Sequence, residues 1–377
     1  MNMKGSSFLF KKCKISILSK YIIKQAILPF FSGFLIFSFI LLMERIFQLF
    51  DFLISKHVSL GSVIGVFLYS LPFIIALTIP MGVLVASIAT YGRMSGDLEI
   101  LAIRALGINP LGLTRGSFLT SLFITIGMVF FNMYILPESN FKLKKLYLEI
   151  SRARPTIHLH PEKFNELSEE YTLWIKEIDH SKSVITNIIL KEDIPGKPIR
   201  TIYAREGKME VLGDSLIFHL SSGEMHIFDQ KDPFQYKIVN FDNYILSISL
   251  KKENLVETTK GYREMNLKEL LKNARETEVK RKKWRYLLEA HKKFSIPFAS
   301  LIFVLVGVPI GIQMKKGGVG NGITLSFFLF MIYYIMLIGG EELCERGYFY
   351  PSLSMWAPNI VLGITGLYLF YKIIYEK

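Results

Sequence analysis

The feature that most constrains this chain is the uncharged run from Val58 to Gly92. It exceeds the ~20 residues that an α-helix needs to cross a bilayer. In hydrocarbon the backbone must satisfy its own polar groups, so the run predicts a transmembrane helix. Pro72 and Pro80 fall inside it as expected kinks. Comparable runs recur at Gln25–Leu49, Gly116–Pro137, Phe294–Gln313, Ile323–Gly340 and Met355–Tyr371. They account for a chain of 377 residues that is 51% hydrophobic, and they exclude a single soluble domain. Within the first run, Ala26–Met43 is longer than a signal-peptide core and lacks a small-residue cleavage site, which predicts a retained anchor.

A net charge of +13 could point to nucleic acid, but its placement does not. Lys4, Lys11, Lys12, Lys14, Lys20 and Lys24 precede the first span and predict a cytoplasmic N-terminus. Arg93, Arg104, Arg115, Lys315, Lys316, Lys372 and Lys377 fall on the same predicted side, whereas the short opposite loops hold only Lys56 and Arg346. The expectation is therefore six spans, both termini cytoplasmic, and no nucleic-acid partner. Cys13 and Cys344 have no metal-ligand spacing and are expected on opposite sides of the membrane, so no disulfide is expected.

Between Glu138 and Lys293 the composition changes. An amphipathic piece, Phe141–Arg154, leads into short segments rich in β-branched and aromatic residues: TLWIKEI, SVITNIIL, IRTIYA, KMEVLG, SLIFHLS, MHIF, YKIVNF and YILSISL. Turn formers separate them, including Asp179-His180-Ser181, Pro195-Gly196, Leu212-Gly213-Asp214, Ser222-Gly223 and Asp232-Pro233. This spacing predicts a β-sandwich, jelly-roll or barrel-like domain outside the membrane. A charged helical stretch, Asn266–Lys293, is expected to lead back to the bilayer. The fold class is thus an α-helical membrane protein of six spans with a β domain inserted between the third and fourth. The domains are 1–137, an N-terminal membrane half; 138–293, the β domain with flanking helices; and 294–377, a C-terminal membrane half.

Lodged between the second and third spans is Arg93–Leu111, RMSGDLEILAIRALGINPL. Ser95 and Asp97 are N-cap candidates, and Asp97 and Glu99 put negative charge in a first turn, where the helix dipole favours it. Gly107 suits the position after the last helical residue and Pro110 blocks continuation. The predicted helix, Asp97–Leu106, places Leu98, Leu101, Ala102 and Ala105 on one face, with Glu99, Ile103 and Arg104 on others. Such a segment is either a solvated loop helix or a surface on which a cytosolic partner pushes.

Catalytic signatures do not emerge. GGVGNG lacks the Lys-Ser/Thr of a phosphate-binding loop and reads as an inner turn. His158, His160 and Glu162 read as solvated polarity at a strand edge, with no metal expected. Glu169-Glu170 and Glu341-Glu342 read as exposed loop charge. No cofactor and no enzyme active site are expected. Glu44-Arg45 differs, because ionisable groups at a span end need a reason. Arg45 either snorkels as an interfacial anchor paired to Glu44, or holds an anionic lipid headgroup.

Several stretches resemble the YjgP/YjgQ permease family, the F and G permease subunits (LptF/LptG) of the ABC transporter that extracts lipopolysaccharide from the bacterial inner membrane. They are YIIKQAILPF, LPFIIALTIPMGVLVASIATYGRMSGDLEILAIRALGI, NMYILPES, YAREGKME…LIFHLSSGEMH, HKKFSIPFASLIFVLVGVPIGI and MWAPNIVLGITGLYLF. The resemblance implies that Arg93–Gly107 holds a coupling helix docking into a cytosolic ATPase, with Asp97, Leu98, Glu99, Leu101, Ala102 and Arg104 as coupling residues. Glu99 matches the family's acidic position. It implies a periplasmic β-jelly-roll with an open edge and a basic residue on the first span, matched by Arg45, near a lipid gate; Glu44 departs from the neutral or basic character expected beside it. The implied partners are a cytosolic ABC ATPase dimer, a paralogous permease subunit, a periplasmic β-jelly-roll bridge protein, and lipopolysaccharide or another anionic glycolipid. The alternatives from other classes are an ATP-independent, proton-coupled lipid transporter, which the uncharged span cores disfavour, and a membrane-anchored periplasmic scaffold.

Overall fold

The computed structural model describes residues 17–50, 58–107, 110–153, 159–168, 170–180, 182–212, 215–228, 236–249, 260–314 and 319–375. Cys13, the lysines up to Lys14, Lys56, His158, Glu169, Lys315, Lys316 and Lys377 lie outside them, as does the side chain of Glu44. The helices are α1 (Ile17–Phe50), α2 (Leu60–Gly96), α3 (Glu99–Ala105), α4 (Pro110–Phe130), α5 (Leu136–Ala153), α6 (Leu267–Glu276), α7 (Lys280–Gln313), α8 (Val319–Glu345) and α9 (Pro351–Tyr375). A π-helical turn, Phe131–Ile135, joins α4 to α5. Among the described residues six helical segments are long and apolar enough to cross a membrane, as the runs predict. The strands are β1 (Phe164–Ser168), β2 (Tyr171–Asp179), β3 (Val184–Glu192), β4 (Ile199–Leu212), β5 (Ser215–Phe228) and β6 (Tyr236–Ser249). All lie between α5 and α6, so a separate antiparallel sheet is inserted between the helices.

The chain divides into two compact units. One comprises Met1–Met43, Leu71–Asn140 and Gly261–Lys377. Its helices pack through small residues, which matters because lipid offers no hydrophobic drive for helix association and close van der Waals contact must supply it. A Cβ built on Gly311 of α7 would stand 2.8 Å from the Ile88 carbonyl and 3.0 Å from the Gly92 nitrogen of α2. One turn earlier, a Cβ on Gly307 would meet Ser87 at 2.8 Å. The backbones of α2 and α7 thus touch, and Leu84, Ile88, Phe303 and Val306 are buried in the cluster around them.

The other unit comprises Glu44–Ser70 and Phe141–Lys260. Val58, Val63, Val66 and Ile150 are buried together in a small cluster with Leu49, Leu143, Leu146 and Tyr147 packed against it. The six strands pair strictly in chain order. The sheet nevertheless encloses the centre of one face, with Leu173, Ile175, Ile185, Leu190, Ile202 and Phe218 fully buried and Ile178, Val211, Ile227 and Phe241 partly buried around them. Every buried member of that core lies between Leu159 and Ile248, so the sheet covers itself.

A crease makes this possible. In β4 the buried residues are Ile202 and Ala204, then Gly207 and Met209; the two-residue period slips by one at Arg205-Glu206. The same slip separates Ile185 from Ile188 in β3, and Leu220 from Met225 in β5. At that level Lys176, Asn187, Arg205, Ser222 and Asp242 drop out of the ladders, while pairing on both sides keeps one register. Asn187 and Ser222 take positive φ, 49° and 51°. Each of five neighbouring strands carries one extra residue at the same height, as an aligned row of bulges does, and a row of bulges bends a sheet. The expected turn at Ser222-Gly223 is therefore a correction: the dipeptide lies inside β5, at the crease, and IRTIYA with KMEVLG, SLIFHLS with MHIF, and YKIVNF with YILSISL are single long strands. A local break in alternation looks like a turn when the neighbouring strands are unknown.

Candidate functional site

The segment after α2 keeps its helical character later than the caps suggest. α2 runs to Gly96, and the Ser95 hydroxyl donates to the Ile312 carbonyl at 2.7 Å. Ser95 is thus unavailable as an N-cap. The N-cap of α3 is Leu98, in the left-handed region at φ 59° and with no side-chain cap bond, so the Asp97 cap is likewise replaced. At the other end Gly107 takes φ 80° and its N–H reaches the Arg104 carbonyl at 2.9 Å, and α4 begins at Pro110, as the stop signals predict.

A helix of seven residues does not hold itself together in water. Two side chains fasten α3. Ile100 is buried and Ile103 packs against the same cluster, which contains Ile22, Tyr91, Met94 and Leu113. The face named from the sequence points the other way: Leu98 and Leu101 are each 63% exposed, Leu106 is 79% exposed, and Ala102, Arg104 and Ala105 are exposed with them. Asp97 is also exposed. Glu99 has a partner that sequence reasoning missed. The Tyr21 hydroxyl of α1 donates to its carboxylate, at 3.1 Å to Oε2 and 3.3 Å to Oε1. A tyrosine in KYIIK carries no signal for this, since the contact joins residues far apart in the chain.

A second constellation lies at the junction of α7, α8 and the π-helical turn. Lys292 Nζ stands 2.5 Å from Glu341 Oε1 and 3.3 Å from Glu289 Oε1. Arg263 approaches Glu289 and Glu341, each at 3.8 Å, and Arg285 pairs with Glu345 at 2.7 Å. Glu341, Glu342 and Glu345 therefore belong to the last turns of α8, which corrects their reading as loop charge. Lys293 is the one buried lysine among the described residues, and its Nζ donates to the main-chain carbonyl of Asn132 at 3.3 Å.

The reason that carbonyl is open is local. In the π-helical turn the Leu136 N–H goes to the Phe131 carbonyl, five residues back. The matching donor for Asn132 would be residue 137, which is a proline and has no N–H. An ammonium fills the vacancy. Around these groups lies a cavity of ≈ 470 Å³ whose other wall is apolar, formed by Phe73, Leu77, Leu136, Ile296, Leu337 and Ile338. The buried Asn132 Oδ1 lines it without a hydrogen-bond partner.

Arg45 lies near the end of α1, where its Nη1 donates to Gln48 Oε1 at 2.9 Å in an exposed contact. Among the described residues no group of three or more His, Cys, Asp or Glu could hold a metal.

A family model described as lipopolysaccharide export system permease LptF/LptG matches residues 20–372, nearly the whole chain. No curated protein gives a significant match.

Proposed function

The chain belongs to the LptF/LptG family of lipopolysaccharide export permeases, multi-pass proteins of the inner membrane, and from that premise we propose how it works. It acts as one permease subunit of an ATP-driven exporter and hydrolyses no ATP itself. A paralogous permease completes the membrane part, and two copies of a cytosolic ABC ATPase drive it. The termini and α3 face the cytoplasm, and the sheet stands in the periplasm.

The observation that carries this reading is the face of α3. Leu98, Leu101 and Leu106 are largely exposed on a segment otherwise fastened to the helices, and such apolar patches are characteristic of protein contacts. Docked in an ATPase cleft, each leucine would bury enough surface to contribute about 1.5–3 kcal/mol. Glu99, steered by Tyr21, would offer a charge-assisted bond to a basic residue of the cleft. Arg104, near the helix end, and Asp97, ahead of it, would sit at the rim. Ile100 and Ile103 then carry displacement of α3 into the membrane helices, because they are the groups packed against them.

The amphiphilic cavity suits the cargo. A phosphate here would have to draw Lys292 and Arg263 from Glu289 and Glu341, which hold them in the structure, while Phe73, Leu77, Leu337 and Ile338 can receive acyl chains. Arg45 would be a further phosphate contact beside Glu44. The lipid leaves upward to the sheet and passes to a periplasmic β-jelly-roll bridge protein. Co-purification with the ATPase tests the reading. Glu99→Lys and Ala102→Trp should each release or uncouple the ATPase and abolish lipid extraction, while membrane insertion stays unchanged. Normal ATPase retention and extraction in both would return α3 to a solvated loop.

A further inference from the structure

The sheet surface turned away from the core carries a groove along the crease, with a volume of ≈ 490 Å³. Bending a sheet over its inner face splays the side chains on the other side, and the gap between the splayed rows is this groove. One wall is a single cross-strand row. Trp174 pairs with Ile189, Ile189 with Tyr203, Tyr203 with Glu224, and Glu224 with Asn240. The opposite wall is Asn187, Arg205 and Ser222, the residues that the crease removes from the ladders. Gly223 lies between them as backbone alone, because the Tyr203 carbonyl and the Phe241 ring already occupy the place a Cβ would take. Tyr203 is 39% exposed and Trp174 is half-buried, so their rings are accessible yet fixed.

The chemistry of the two walls is specific. Aromatic rings present negative π-faces that attract the weakly positive axial C–H groups of a sugar ring. Amide, guanidinium, hydroxyl and carboxylate groups donate to and accept from vicinal hydroxyls. Asn187, Arg205 and Asn240 are all in the groove, and their side chains are exposed, where a ligand can reach them. A flat, purely apolar partner strand would waste that polar wall, and an acyl chain would leave it desolvated.

We propose that this groove is a saccharide-binding site. It takes one or two pyranose rings stacked on Trp174 and Tyr203, with hydroxyls held by Asn187, Arg205, Glu224 and Asn240. The export reading enters only in naming a source, the sugar portion of the exported glycolipid; the binding chemistry stands without it.

The test uses the full-length protein in detergent. Trp174 is one of three tryptophans, so Trp284→Phe with Trp356→Phe leaves it as the sole reporter. Two probes are titrated: the lipid-free core oligosaccharide of lipopolysaccharide, and chitotetraose as a glycan of different origin. A saturable change in Trp174 emission is expected with at least one, and the probe that binds identifies the source. Tyr203→Ala and Arg205→Ala should each weaken it at least tenfold, whereas Tyr203→Phe, which keeps the ring, should stay within about twofold and unfold at the same temperature. No saturable change with either probe at ~10 mM overturns the site, as does binding indifferent to Tyr203→Ala and Arg205→Ala. ATPase co-purification is measured on the same preparation. Loss of saccharide binding with the ATPase retained removes the groove alone; saccharide binding without an ATPase removes the export reading and leaves the groove.

Discussion

Lys293 answers a carbonyl, not a carboxylate, and the consequence can be measured. Its ammonium satisfies Asn132, whose own helix offers no donor because residue 137 is a proline. Lys293→Met keeps the length of the side chain and leaves a buried carbonyl unpaired, which costs about 1–3 kcal/mol. Thermal unfolding in detergent should show a clear drop. Lys292→Met leaves the largely buried Glu289 and Glu341 without their cation and should cost a comparable amount, about 1–3 kcal/mol. A second residue-scale effect lies in the sheet. The Tyr171 hydroxyl donates to Glu192 Oε1 at 3.1 Å, and burial, with the Glu192 charge added, pushes its pKa up to about 12. A phenol whose folded pKa exceeds the unfolded value of about 10 holds its proton better when folded. Its contribution is therefore complete below pH about 10 and is lost as the pH rises towards 12. Alkaline unfolding of the sheet should be steeper in the wild type than in Tyr171→Phe.

At the level of elements, two contacts decide how α2 meets α7 and how α1 meets α3. Gly311 lets α7 touch the α2 backbone, so even a methyl group there forces the helices apart. Gly311→Ala should destabilise the protein by about 1–3 kcal/mol, the usual cost of overpacking. Gly339→Ala in α8, where an added Cβ meets nothing within 4 Å, should not destabilise and should gain up to about 1 kcal/mol in the same unfolding assay. The other contact is Tyr21 to Glu99. Tyr21→Phe removes one exposed hydrogen bond and nothing else, so stability should change by no more than about 1 kcal/mol. If the bond orients Glu99 for its partner, ATPase stimulation should nevertheless fall several-fold. Unchanged stimulation would reduce the bond to a local stabiliser.

At the scale of the whole molecule, the proposed topology puts α3 and the sheet on opposite sides of the membrane. With Cys13 and Cys344 replaced by serine, Arg104→Cys should react with an impermeant maleimide only in inverted vesicles. Glu206→Cys, exposed at the crease, should react only in spheroplasts. Labelling of both from one side would reject the orientation and, with it, the assignment of α3 to a cytosolic partner.

Whatever depends on composition along a continuous stretch is legible in the residues alone. Uncharged runs specify spanning helices because hydrocarbon admits little else. Gly107 and Pro110 specify where α3 stops because their backbone restrictions are local. Helical period alone puts Leu101, Ala102 and Ala105 on one side of α3, but that this side is exposed was decided by the packing of Ile100 and Ile103. What depends on neighbours emerges with the packed chain. Ser95 looks like a cap until Ile312 claims its hydroxyl. Glu341 looks like loop charge until Lys292 meets it across two helices. The crease stays invisible in any one strand, since a slip of one residue at Ser222 reads as a turn, and β1, the polar FNELS, carries no strand signal. It becomes legible when five strands show the slip at one height. The physical reason is the same in each case: a side chain's intrinsic preference is encoded at its own position, but its partner is set by packing between segments that chain order does not bring together.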